Sequence, residues 1–222
     1  MIREVNLQEI SDGKLYGLND MVKADCQDCN GCSACCQGMG DSIILDPLDI
    51  YRLTTNLNCS FEELLKDKVT LNIVDNMILP NLKMDGGSER CTFLNKEGRC
   101  TIHSFRPGIC RIFPLGRFYE NHSFQYFLQI HECKKDNRTK IKVRKWIDTP
   151  DAKNYEQFIV EWHYFLKDMQ KMLEREQNEH LMKEVGMYIL KYFYLMPYET
   201  DREFYGQFRE RLNTAGEFVK TL

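Results

Sequence analysis

The chain lacks several features that would have named a class outright. No run of apolar residues follows Arg3 in Met1-Ile2-Arg3-Glu4-Val5-Asn6-Leu7-Gln8-Glu9, so nothing there reads as a secretory signal, and a cytoplasmic location is expected. The most apolar stretch, Met187 to Met196, is interrupted by Lys191 and falls far short of the roughly 20 residues needed to cross a bilayer. No membrane association is expected. Positive charge is not in excess, with 30 Lys plus Arg against 33 Asp plus Glu and a net charge of -3, which excludes a chain dominated by polyanion binding. There is no internal repeat and no low-complexity tract. Histidine is scarce, at five residues, and residues 137–222 contain no cysteine at all.

What the second half lacks, the first half has in abundance. Five cysteines stand within Cys26-Gln27-Asp28-Cys29-Asn30-Gly31-Cys32-Ser33-Ala34-Cys35-Cys36, and Cys59, Cys91, Cys100, Cys110 and Cys133 follow. Successive C-x-x-C steps suit a metal because each short turn aims two sulfurs at one point while backbone amides face the thiolates. A disulfide framework would be the alternative in a small secreted chain. In a reducing compartment, thiols at this spacing point to metal or redox chemistry, and 222 residues can bury a core without staples.

An α+β fold is predicted, with a cysteine-rich module over residues 1–150 and a helical region over 151–222 packed on it. Asp46-Pro47 marks a helix start before Leu48, Ile50, Tyr51, Leu53 and Leu57, and Ser60-Phe61-Glu62-Glu63 forms a capping box. Val69–Val74 and Met77–Leu79 flank Asp75-Asn76 as a hairpin, and Gly116–Glu120 pairs with Ser123–Ile130 across Asn121-His122. A further hairpin over 91–103, turning at Asn95–Gly98, would bring Cys91 and Cys100 together on paired strands. Lys140 to Lys145 alternates with period two and is read as an edge strand protected by lysines, not as a nucleic-acid patch; no nucleic-acid partner is expected, and a protein partner or substrate is left open. Tyr155 to Leu173 repeats its apolar residues at three and four, a helix follows from about Asn178 to Met196, and Phe204, Phe208 and Leu212 mark a third.

Candidate metal ligands are Cys26, Cys29, Cys32, Cys35, Cys36, Cys91, Cys100, Cys110 and Cys133, with Cys59 taken as an ordinary packed residue. Sulfur-only ligation selects an iron-sulfur cluster or zinc over oxygen-seeking ions. Cys26, Cys29, Cys32 and Cys36 reproduce the ferredoxin spacing C-x2-C-x2-C-x3-C, with Gln37 where proline usually follows. An iron-sulfur cluster is therefore preferred. Zinc is the rival, since eight cysteines also divide into two closed four-sulfur sites. Neighbouring Cys35 and Cys36, taken as extended chain, would point oppositely and serve two metal centres, or one bridged cluster of metals, more naturally than a single ion. His103 and His131 stand outside the ligand set. Arg90, Arg99, Arg106, Arg111 and Arg117 surround the later cysteines, placed either to lower thiol pKa values or to form salt bridges.

Cys29-x2-Cys32-x2-Cys35-Cys36, then Ile44-Leu45-Asp46-Pro47-Leu48-Asp49-Ile50, Cys91-Thr92-Phe93-Leu94, Arg99-Cys100-Thr101-Ile102-His103 and Arg106-Pro107-x2-Cys110-Arg111-x-Phe113-Pro114 resemble the CxxCxxCC cysteine-cluster family. These are the YkgJ-type zinc- or iron-chelating proteins, and flagellin lysine N-methylases share the cluster. The resemblance covers roughly residues 20 to 135 and implies metal at the matching cysteines. A lysine N-methylase-like activity would need an S-adenosylmethionine site, yet the chain has neither G-x-G-x-x-G nor C-x3-C-x2-C, since Met39 stands where the latter's third cysteine would fall. Three readings follow: an iron-sulfur oxidoreductase-like protein, a methylase-like enzyme, or a non-catalytic zinc-stabilised adaptor.

Overall fold

Local capping chemistry starts the first substantial helices. In the computed structural model, which describes residues 6–27 and 32–219, the Asp46 carboxylate accepts from the Asp49 N–H at 2.8 Å and the Asp49 carboxylate accepts from the Asp46 N–H at 3.1 Å. Ser60 and Glu63 repeat the same reciprocal pair. These boxes satisfy amides that the first turn of any helix leaves unpaired.

In chain order the elements are α1 (Leu7–Ile10), β1 (Ser11–Tyr16), β2 (Met21–Asp25), a 3-10 turn at Ala34–Cys36, α2 (Pro47–Leu57), α3 (Phe61–Asp67), β3 (Val69–Val74) and β4 (Met77–Leu82). A second 3-10 turn at His103–Phe105 precedes α4 (Gly108–Ile112), β5 (Leu115–Glu120), β6 (Ser123–Gln129), β7 (Thr139–Lys142) and α5 (Val143–Ile147). The chain closes with α6 (Ala152–Glu176), α7 (Glu179–Leu190), a π-helical turn at Lys191–Leu195 and α8 (Phe204–Val219). The fold is α+β. Among the described residues no helix is long and apolar enough to cross a membrane.

The strands make three small antiparallel sheets. β1, β6 and β5 form one in that order, β2 pairs with β7, and β3 pairs with β4. The two tight hairpins turn through residues in the left-handed region, Asp75 and Asn76 at φ 51° and 64° and Asn121 and His122 at φ 50° and 52°. Two left-handed residues in succession match the twist of the flanking strands, and Asn and Asp tolerate that conformation better than most side chains.

Two predicted strands differ. Over 91–103 the chain forms a turn with a single bridge between Leu94 and Cys100, and Cys91 bridges to Met84. Asn95 holds the turn by receiving the Arg99 N–H on its side chain at 2.7 Å and donating its own N–H to the Arg99 carbonyl at 2.9 Å, and the Thr101 N–H donates to the Phe93 carbonyl at 2.9 Å, so the hairpin is present but its pairing is too short to count as strands. The basic strand ends at Lys142, because Val143, Trp146 and Ile147 are buried at helical spacing while Arg144 and Lys145 stay exposed. The indole N–H of Trp146 donates to the carbonyls of Ile112 and Phe113 at 3.1 and 3.2 Å, which fixes α5 against the end of α4.

Two apolar cores result. The larger joins α2, α3, β3 and β4 to α6, α7 and α8, with Leu53, Phe158, Phe193 and Phe208 fully buried. The smaller joins β2, β6 and α5 through Val22, Tyr126, Leu128, Trp146 and Ile147. The cysteine-bearing loops run along the borders of both cores.

Candidate metal centre

Most of the thiols lie in loops that the two cores bring together. Cys91 follows β4, and its N–H donates to the Cys36 carbonyl at 2.9 Å, which stitches the two cysteine segments side by side. Cys110 sits on α4, a helix held from outside by α2: the Gly108 N–H donates to the Asp49 carboxylate at 2.8 Å. Gly108 is required there, because an added Cβ would collide with the Tyr155 hydroxyl.

These contacts bring Cys35, Cys91, Cys100 and Cys110 together. Burial pushes the Cys110 thiol up strongly, and Asp49, Cys91, Cys35 and Cys100 each push it further. Burial likewise raises Cys91 and Cys100, while Arg106 and Arg99 pull Cys100 back toward its thiolate. The largest effect on Cys35 is its hydrogen bond with Cys36, followed by burial. The Cys35-Cys36 pair lies in the 3-10 turn, not on extended chain, and both residues border the same cavity. The premise of extended chain at this pair is therefore corrected.

A second group forms at the ends of β2 and β6. Cys26 follows β2 and Cys133 lies between β6 and β7, and the Thr139 hydroxyl donates to the Asp25 carboxylate at 3.1 Å across that ribbon. Cys26, Cys32 and Cys133 border one small space of about 20 Å³, with Cys35 on its wall. Burial raises Cys133, with Cys26 and Cys32 adding to the effect. Cys29 lies outside the described residues. Cys59 is partly buried against the larger core, apart from both groups.

Backbone amides also face three of these sulfurs. Cys91 accepts the Phe93 N–H, Cys100 the Ile102 N–H and Cys133 the Lys135 N–H, and each bond favours the charged form. An amide two residues on that points at sulfur both orients the side chain and stabilises its negative charge. Cys32, Cys35, Cys36, Cys91, Cys100, Cys110 and Cys133 form no disulfide. Among the described residues no three His, Cys, Asp or Glu side chains close on one point tightly enough to hold a single ion. The inner thiols instead face a shared cavity of about 870 Å³.

The arginines have separate tasks. Arg106 contacts the His103 ring and acts on Cys35 and Cys100. Arg111 is buried and donates to the carbonyls of Ser104 at 2.6 Å and Asp148 at 3.1 Å, and Arg90 donates to the Asn95 carbonyl at 3.3 Å. Arg117 lies among aromatic rings, bonded to the Tyr155 hydroxyl and facing Phe124 and Tyr155. The sequence reading missed the Asp49 bond to Gly108 and the half-buried Arg117 among aromatic rings; the pattern Asp46-Pro47-x-Asp49 showed a helix cap, with no sign that the second carboxylate also serves another helix.

Soft sulfur donors, amides aimed at them and nearby cations suit zinc or iron. A family model decides the membership: it matches residues 28–144, just over half of the chain, and is described as a “Putative zinc- or iron-chelating domain”. The chain belongs to the CxxCxxCC family. The matched segment contains every cysteine named above except Cys26. Comparison with curated proteins and with solved structures returns no match. Family and donor chemistry agree on a metal-binding cysteine cluster.

Proposed function

We propose that this CxxCxxCC protein is an iron-sulfur protein of the oxidoreductase-like kind, with its cluster held by Cys35, Cys91, Cys100 and Cys110 and with Cys36 beside them. Cys26, Cys32 and Cys133 would form an outer metal site, for which the sequence offers Cys29 as a fourth sulfur. The observation that carries the reading is the set of amide N–H groups on Cys91, Cys100 and Cys133, since such bonds are among the protein's means of tuning a thiolate-ligated cluster. The inner thiols border one shared space, which suits a cluster of several metal atoms. A cluster bound there would supply one-electron transfer. The protein's own part is to exclude water with the apolar walls around Cys110 and to offset thiolate charge with Arg106 and Arg99.

The test is iron, zinc and acid-labile sulfide in the anaerobically purified chain, with visible spectra before and after dithionite. Iron with sulfide and a bleachable visible band is the expected result, lost in Cys110→Ala. Zinc without sulfide or colour would overturn the redox reading and make the thiols scaffolding.

A further inference from the structure

The cavity beside the inner thiols is far larger than a metal centre requires. Its volume of about 870 Å³ lies within the roughly 300–1,000 Å³ typical of small-molecule sites. One wall is apolar, built from Ile159, Trp162 and Leu166 of α6. Tyr119 and His163 stack at 3.6 Å between centroids, 7° from parallel, and add a flat face.

Arg117 also lines this cavity. Its guanidinium donates to the Tyr155 hydroxyl at 2.7 Å and bonds with Tyr119, and it stands 5.6 Å and 5.7 Å from the centroids of Phe124 and Tyr155. Its Nε is buried without a partner. Burial opposes the charge, but Tyr155, Tyr119, Tyr126 and Asp46 together raise the arginine pKa. The nearby Asp46 carboxyl is engaged with the Asp49 N–H at the helix cap, and burial with Asp49 alongside pushes it up to about 8. Asp46, Asp49 and Glu156 act on this partly buried guanidinium from farther off, yet among the described residues its hydrogen bonds go to phenols and no carboxylate lies within ion-pair distance, which leaves a place for a directly bonded anion.

We propose that this cavity binds a small organic carboxylate, its carboxylate on Arg117 and its apolar body against Ile159, Trp162 and Leu166. A guanidinium matches the planar geometry of a carboxylate, and the apolar wall selects an organic acid over inorganic anions. The site adjoins the inner thiols and does not depend on which metal they hold.

The test is ligand-observed NMR on the purified, metal-loaded chain with two matched pairs of probes, phenylacetate against phenylacetamide and hexanoate against hexanamide. The acids should bind and the amides should not. Arg117→Met should remove acid binding with metal content unchanged, and Arg117→Lys, which keeps the charge and loses the fork, should weaken it by about tenfold. Acids that bind no better than amides overturn the proposal. So does retained acid binding in Arg117→Met, above all with lost metal, which would make the arginine a neutraliser of thiolate charge. Should the methionine variant fail to fold, unchanged acid affinity in Arg117→Lys overturns the proposal by itself.

Discussion

Replacing Asp49 asks whether a buried carboxylate is worth keeping. Its side chain is 3 % exposed, accepts from Gly108 at 2.8 Å and from Asp46 at 3.1 Å, and is pushed up in pKa by burial while those two amides pull it back. Asp49→Ala orphans two buried donors, each costing about 1–3 kcal/mol, and relieves part of the cost of burying a charge. A net loss of about 2–4 kcal/mol is expected from those opposing effects. Asp49→Asn keeps an oxygen for Gly108 and loses only the bond to Asp46, so about 1–2 kcal/mol is expected. Urea unfolding of the metal-loaded protein, followed by the fluorescence of buried Trp146 and Trp162, would rank wild type above Asn above Ala. Metal content should fall in the alanine variant, because Gly108 opens the helix that carries Cys110. An alanine variant as stable as wild type would refute the reasoning and show that the desolvation cost exceeds both hydrogen bonds.

Three further outcomes are expected. His163 is held down to about 4 from 6.5, mainly by burial, so its folded form resists protonation; stability present above pH 6.5 should decline as pH falls toward 4. His163→Phe should make that acid-side slope shallower in denaturant titrations at several pH values, and an identical slope would show that His163 does not contribute. Phe158→Ala should cost about 3–5 kcal/mol, read by urea unfolding, because its ring lies 5.5 Å from Phe204 and 4.6 Å from Phe208 and ties α6 to α8; a cost under 1 kcal/mol would mean the core collapses around the gap. Cys59→Ala should retain full metal content in elemental assay, since Cys59 packs on the larger core away from both thiol groups, and a loss of metal would place it among the ligands.

The elements that were legible are those specified by neighbours. The capping boxes at Asp46 and Ser60, the turns at Asp75-Asn76 and Asn121-His122, and the long apolar periodicity of α6 all depend on residues within a few positions. Where the signal was ambiguous, packing decided. The stretch from Lys140 to Lys145 alternates like a strand, yet Val143, Trp146 and Ile147 also share a helical face, and burial of Trp146 against Ile112 and Phe113 selected the helix. The strands β1 and β2 had no clear pattern of their own, and they exist because β6 and β7 pair with them.

By itself, then, the amino-acid sequence determined that this is an α+β chain whose cysteines crowd its first half at metal-binding spacing, because residue type and local spacing need no knowledge of distant segments. Tertiary structure alone decided how the thiols divide, since the pairing of β2 with β7 sets Cys26 beside Cys133 and the bond from Gly108 to Asp49 sets Cys110 beside Cys91. It also decided that half-buried Arg117 borders a large cavity. Such juxtapositions join residues from remote parts of the chain through packing and hydrogen bonds, and no local pattern records them.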